Sequence, residues 1–172
     1  TRALGAARLG DVQTAKVDIA RLAELRDKLR EAKDAYWSEQ VGIQREVTSA
    51  WVLYAEGRHD EALKAMSAAA DAEDKTEKHP VTPGVPRPAR ELYGVMLLER
   101  GSAKEALVAF EATLTKEPNR LGAYVGAARA AETLGDTARA RQYWAKVVEQ
   151  TADADATRPE IAEARGVPQG QD

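Results

Sequence analysis

The hydrophobic positions of this chain recur with a helical period, and small residues occupy the same places in each stretch. Four amphipathic segments end at a glycine, namely Gly10, Gly57, Gly101 and Gly135. An alanine follows five residues after each glycine, and a larger apolar residue follows four residues after the alanine. These pairs are Ala15 with Ile19, Ala62 with Met66, Ala106 with Phe110, and Ala140 with Trp144. Because residues four apart share a helix face, the pattern predicts helix pairs that approach closely at the alanine.

Each glycine is placed to end the first helix of a pair, because glycine adopts the left-handed backbone conformation at low cost. Gly101 and Gly135 are 34 residues apart, and the segments 87–120 and 121–154 follow one another without a gap. Small residues also stand seven positions before each glycine, at Ala3, Ala50, Gly94 and Ala128. The repetition predicts an all-α protein of stacked helix pairs, in which small residues let the helices approach.

These residues resemble the tetratricopeptide repeat family, whose repeat is 34 residues long. One repeat fits the family motif through Gly94, Gly101, Ala106, Phe110 and Pro118. The next fits it through Tyr124, Ala128, Gly135, Ala140 and Trp144, but has Ala152 where the family usually has proline. The resemblance covers residues 3–29 and 43–154. It implies a right-handed α-solenoid of antiparallel helix pairs, with residues 1–165 forming a single repeat domain.

Two spacings depart from the family period. Gly10 and Gly57 are 47 residues apart, and an apolar stripe through residues 11–40 predicts lengthened helices there. Gly57 and Gly101 are 44 residues apart because of a proline-rich insert, 77-EKHPVTPGVPRPARE-91. Prolines restrict the backbone, so we expect an ordered, extended crossing between two repeats. The insert loop residues singled out are His79, Pro80, Thr82 and Pro83.

The two ends of the chain also carry signals. Pro159 suits the first turn of a helix, so residues 158–165 are predicted to form a short C-terminal cap helix. Residues 166–172 are predicted to be a flexible tail. The first four residues already have the character of a helix interior, with no capping residue before them. We therefore expect this chain to be the C-terminal part of a longer one.

Composition and charge exclude several classes of function. The net charge is −3 with 31% charged residues, and no basic block is present that could neutralise nucleic-acid phosphates. The absence of cysteine excludes disulfides and thiolate metal sites. No apolar run is long enough for a membrane span, and no signal peptide is visible. The compartment stays open between cytoplasmic and exported.

Candidate chemistry is sparse. His59 and His79 are the only histidines, and no phosphate loop or nucleophile motif occurs. We therefore predict no enzyme activity, no cofactor and no metal. Two alternatives stay open: a metal or small-molecule sensor that uses His79, and an accessory domain of an enzyme encoded upstream.

The family resemblance implies a protein or peptide partner bound in a concave groove lined by the first helix of each repeat. The groove positions carried over are Gln44, Val47, Trp51, Tyr54, Pro88, Glu91, Val95, Leu98, Glu99, Gly122, Val125, Arg129 and Glu132. The predicted contact residues among them are Trp51, Tyr54, Glu91, Val95, Arg129 and Glu132. The acidic balance favours a neutral or partly basic partner. Packing of Trp51 in the core is an equal alternative, and self-association through Leu4, Leu9 and Val12 is a further one.

Overall fold

The computed structural model describes residues 2–77, 84–155 and 158–167, and within these ranges every regular element is an α-helix. In chain order the helices are α1 (Arg2–Arg8), α2 (Val12–Glu31), α3 (Ala35–Ala55), α4 (His59–Asp74), α5 (Ala89–Glu99), α6 (Ala103–Lys116), α7 (Leu121–Thr133), α8 (Thr137–Gln150) and α9 (Pro159–Gly166). The all-α prediction is confirmed, and α9 forms where the cap helix is predicted.

The helices group into two compact units, Thr1–Ala89 and Arg90–Asp172, called here the N-terminal and the C-terminal unit. In the N-terminal unit α1 packs on α2, α2 on α3 and α3 on α4, and α1 also contacts α3. In the C-terminal unit α6 packs on α7, α7 on α8 and α8 on α9. Helices that follow one another in sequence are therefore neighbours in space, as in a tetratricopeptide-like fold. The extent of the single domain, residues 1–165, stays a prediction.

The glycine turns have the predicted backbone. All four turn glycines have positive φ, from 74° at Gly135 to 81° at Gly57. An aspartate follows two of them directly and caps the next helix: Asp11 accepts from the Thr14 N–H at 3.1 Å, and Asp136 from the Arg139 N–H at 3.0 Å. These two turns thus combine a left-handed helix end with a new side-chain N-cap, which reverses the chain within a few residues, whereas α4 and α6 begin without a side-chain cap.

The long spacing between the first two turn glycines is taken up by two long helices, α2 of 20 residues and α3 of 21 residues. The predicted lengthening is confirmed, but the stripe through residues 11–40 is not one continuous helix. Lys33 takes a left-handed φ of 60°, and the Asp34 side chain then accepts from the Trp37 N–H at 3.1 Å. The chain turns back here on a lysine and an aspartate, where no glycine or proline marks a helix end.

The core of the C-terminal unit is built around two large rings and many alanines. Trp144 packs with Val125, Ala128 and Val147, and Ala164 of α9 joins this cluster. Phe110 is fully buried and lies between two glycines of other helices. A Cβ added to Gly94 on α5 would be 2.9 Å from the ring, and one added to Gly126 on α7 would be 2.3 Å from it. The two glycines therefore make the space that the ring fills.

None of the helices in the described ranges is long and apolar enough to cross a membrane.

Candidate partner-binding site

The predicted contact residues divide into buried and accessible ones. Trp51 belongs to the first class, with 2% of its surface exposed. The guanidinium of Arg8, on α1, lies 4.2 Å from the Trp51 ring centroid, and the Tyr54 ring packs edge-on at 5.2 Å. Trp51 is therefore a core residue of the N-terminal unit, covered by α1, and a partner cannot reach it in this structure. Tyr54 is half-buried and contacts the His59 ring at 4.7 Å.

Glu91 is also inaccessible, with 1% of its surface exposed. Its Oε2 accepts from Arg120 Nε at 2.6 Å, and its Oε1 lies so close to Gly122 that an added Cβ would be 2.6 Å away. The carboxylate therefore sits at the first turn of α7, where the positive end of the helix dipole stabilises a negative charge. Glu91 ties α5 to α7, and this structural role replaces the predicted contact role.

Three further groove positions carried over from the family, Val47, Pro88 and Val125, are buried as well. Val125 packs against Trp144 and Val147 of α8 and so contributes to the packing of its helix pair. The accessible part of the predicted surface is therefore smaller than the sequence pattern indicates.

The accessible residues of the C-terminal unit lie on one face of α5 and one face of α7. Val95 and Leu98 are half-buried and Glu99 is exposed, and their spacing puts all three on one side of α5. Arg129 and Glu132 are exposed on α7 with the same kind of spacing. We call these five residues the first-helix face, since α5 and α7 are the first helices of their pairs.

Arg129 is held by α9. Its Nε donates to Glu163 Oε1 at 3.1 Å, and its Nη2 donates to the other oxygen of the same carboxylate. This bidentate bond raises the pKa of the Arg129 guanidinium above its ordinary value, and the neighbouring carboxylates Glu160 and Glu132 add to the effect. Three carboxylates thus lie around Arg129, and Arg158 pairs with one of them, Glu160, so these five groups together carry a net negative charge.

Glu132 has an internal role in addition to its exposed position. Its Oε1 accepts from the indole N–H of Trp144 at 2.8 Å, which satisfies a buried donor at the centre of the C-terminal core. A change at Glu132 would therefore alter both the surface charge and the packing of α8 on α7.

Residues 97–164 match the family model described as Tetratricopeptide repeat. This part of the chain is similar to tetratricopeptide repeats. The matched range runs from the end of α5 through α9 and corresponds to about two repeats of 34 residues. No curated protein matches the chain. Tetratricopeptide repeats generally serve as scaffolds for protein–protein interaction.

The second helices of this repeat protein carry a separate polar cluster. The Tyr143 hydroxyl donates to Glu111 Oε1 at 2.6 Å, and Arg139 donates to the same oxygen at 3.1 Å. Burial, followed by the hydrogen bond to Glu111, raises the pKa of Tyr143 to about 12. The Tyr143 hydroxyl therefore remains a hydrogen-bond donor well above neutral pH, and the cluster links α6 to α8.

The insert loop residues His79, Pro80, Thr82 and Pro83 lie outside the described residues, so their predicted role and the sensor alternative stay predictions. The end of the insert is described: Glu73, which is buried, accepts from the Ala89 N–H at 2.5 Å and anchors the start of α5. Across the described ranges, no group of three or more His, Cys, Asp or Glu side chains could hold a metal ion.

Sequence reasoning missed two residues that shape this site, Gly126 and Glu163. A glycine inside a predicted helix, such as Gly126, indicates that another side chain or backbone packs closely against it, but the sequence does not identify that neighbour. Glu163 lies in the cap helix, and its partner Arg129 is 34 residues away. The proposed self-association surface is only partly open, since Leu9 is exposed whereas Leu4 and Val12 are half-buried.

Proposed function

We propose that this repeat protein is an interaction scaffold that holds a segment of a partner protein on the first-helix face of its C-terminal unit. The observation that carries the proposal is the match of residues 97–164 to tetratricopeptide repeats, because interaction is the general role of that family. The face also has the composition of a docking surface: Val95 and Leu98 supply half-buried apolar area, and charged side chains border them.

The charges of this face favour a neutral or basic partner segment. Glu99, Glu132 and Glu163 are exposed, and Arg129 already has a carboxylate partner. An acidic segment would have to displace Glu163 from Arg129, whereas a lysine or arginine would approach a face with more carboxylates than cations. Partner contact is therefore proposed at Val95, Leu98, Glu99, Arg129 and Glu132, with Tyr54 as the accessible position of the N-terminal unit.

A photocrosslinking experiment tests this proposal. A benzophenone amino acid replaces Leu98 on the first-helix face or, as the matched control, Val108, which is exposed on the second helix α6. We expect a discrete crosslinked protein from position 98 and none of the same mass from position 108. Equal yields from both positions, or no crosslink from position 98, would contradict the proposal.

A charge reversal then tests the partner chemistry on the identified protein. Glu99→Lys is expected to weaken binding by about tenfold, because a like charge would face the basic segment. Glu105→Lys places the same change on the exposed surface of α6 and should leave the dissociation constant unchanged. Tighter binding by Glu99→Lys would show that the partner segment is acidic.

A further inference from the structure

The N-terminal unit contains a cleft that the first-helix face does not include. It lies between the end of α2, the start of α3 and the last turn of α4, and has a volume of about 730 Å³. Cavities of this size are typical of sites for small molecules and short peptide segments. Its walls carry Arg26, Arg30 and Lys33 on the α2 side, and Glu39 and Glu46 on α3.

The two walls carry opposite charges that do not meet. Arg26 and Arg30 form ion pairs with Asp27 of their own helix, at 2.8 and 3.9 Å, rather than with α3. Within the described ranges, the side chains of Lys33, Glu39 and Glu46 take part in no hydrogen bond or ion pair. The cleft separates the two rows, so one ligand that carries both charges could pair with each of them at once.

The Ser38 hydroxyl opens to the cleft. Ser38 lines the cleft with 7% of its surface exposed, and its hydroxyl has no hydrogen-bond partner among the described residues. Its oxygen is not one of the fully enclosed side-chain atoms, so it is reached from the cleft. A ligand amide placed here would replace the water on this hydroxyl.

The shape of the cleft favours a peptide over a single amino acid. Glu39 and Glu46 are seven residues apart on α3, which corresponds to roughly 10 Å along the helix axis. Gly42 lies between them and has no side chain to fill the cleft. An added Cβ at this position would meet only Arg26 Cδ, at 3.7 Å. Ile43 is buried below and supplies an apolar floor.

We propose that this cleft binds a short peptide segment that carries one acidic and one basic side chain. The acidic side chain pairs with Arg30 and Lys33, the basic one with Glu39 and Glu46, and Ser38 bonds the peptide backbone between them. This site is separate from the first-helix face and uses different elements of the chain.

Backbone-amide NMR titration of the full chain tests the proposal. The probe is the N-acetylated, C-amidated tripeptide lysyl-alanyl-glutamate, with two analogues in which glutamine replaces either charged residue. We expect saturable shifts at Ser38 and Gly42 with the doubly charged probe, and about tenfold weaker binding of each analogue. A parallel titration with free glutamate and lysine separates a peptide site from an amino-acid site. Shifts of equal size with all probes, or shifts spread over both units, would leave only solvated surface charges and overturn the proposal.

Variants locate the binding to the cleft. Arg30→Gln with Lys33→Gln, and separately Glu46→Gln, should each weaken binding of the doubly charged probe by about tenfold. Lys64→Gln and Glu24→Gln neutralise exposed charges of the same unit outside the cleft and should have no effect. Gly42→Leu narrows the cleft without a change of charge and should abolish binding, with a thermal melt to verify that the variant is folded. Unchanged binding in Gly42→Leu would refute the assignment.

Discussion

The clearest test of the packing is a change of one methyl group at Gly126. Alanine is normally the better helix residue, by roughly 0.5–1 kcal/mol. At Gly126, however, the new Cβ would lie 2.3 Å from Cε1 and Cζ of Phe110, whereas carbon atoms pack at about 3.5–4.0 Å. The ring has little room to move, because it is fully buried and Gly94 lies against it as well.

The expected size follows from these two opposing effects. Overpacking of a full core costs about 1–3 kcal/mol, and a shortfall of more than an ångström belongs at the upper end. After the gain in helix propensity, Gly126→Ala should lower the free energy of unfolding by about 1–2 kcal/mol. Gly42→Ala is the matched control, because its Cβ meets Arg26 Cδ at an ordinary 3.7 Å. That variant should gain roughly 0.5–1 kcal/mol.

Urea unfolding followed by circular dichroism measures both variants, with tryptophan fluorescence as a second probe of whether the two units unfold together. A smaller side chain at position 110 should relieve the clash, so Phe110→Leu should cost less in the Gly126→Ala background than in the wild type. The coupling energy should exceed about 0.5 kcal/mol. A Gly126→Ala variant that is as stable as Gly42→Ala, or additive behaviour of the pair, would refute the packing argument.

Three further predictions concern single groups. Glu91→Gln should lower the unfolding free energy by about 1–3 kcal/mol, because Arg120 loses its buried ionic partner. The control Glu105→Gln, on the exposed surface, should change the unfolding free energy by less than about 0.5 kcal/mol. Equal effects of the two variants in urea unfolding would contradict a structural role for Glu91. Tyr143 should titrate near pH 12 by phenolate absorbance, and Tyr143→Phe should remove that late component. Since the folded pKa of Tyr143 is raised above the ordinary value of 10.0, its contribution to stability is complete below pH 10 and is lost as the pH rises toward 12. Lys33→Gly should raise the unfolding free energy by roughly 1 kcal/mol, because the left-handed backbone at position 33 strains any residue with a Cβ; Lys28→Gly, inside α2, should lower it by a similar amount.

The helix pairs could be predicted because their signals are local. Each pair of helices contains a turn glycine, an alanine five residues later and a larger apolar residue beyond it. The glycine ends the first helix, the alanine allows close approach, and the larger residue fills the space between the helices. Pro159 likewise marks the start of α9 without reference to any other element. These features need only the helical period and the backbone freedom of glycine, and both are visible in a sequence.

The helix break at Lys33 could not be predicted in the same way. Neither lysine nor aspartate is a strong stop signal, and the apolar stripe continues past the break into α3. The turn is stable because the Asp34 N–H bonds to the Leu29 carbonyl at 2.9 Å while its side chain caps α3. Such a turn is favoured by the packing of α2 against α3, which only the folded chain supplies.

The burial of Trp51 and Glu91 depends on residues far away in sequence. Trp51 is covered by Arg8 of α1, and Glu91 is enclosed by Arg120 and Gly122 from the next repeat. The helical period shows which face of a helix a residue occupies, but not which neighbour lies over that part of the face. A contact residue transferred from a family motif can therefore be buried by an element that the motif does not contain.

This distinction changes where a partner would be recognised. Because Glu91 is buried between α5 and α7, the accessible charges of the first-helix face are Glu99 on α5 and Arg129 and Glu132 on α7. Glu163 gives α9 a part in that surface in addition to its part in the core, where Ala164 meets Trp144. A helix predicted only to cover the last hydrophobic layer therefore also sets the charge of the proposed binding face, and a substitution at Glu163 should change partner preference while leaving the Ala164 contact in place.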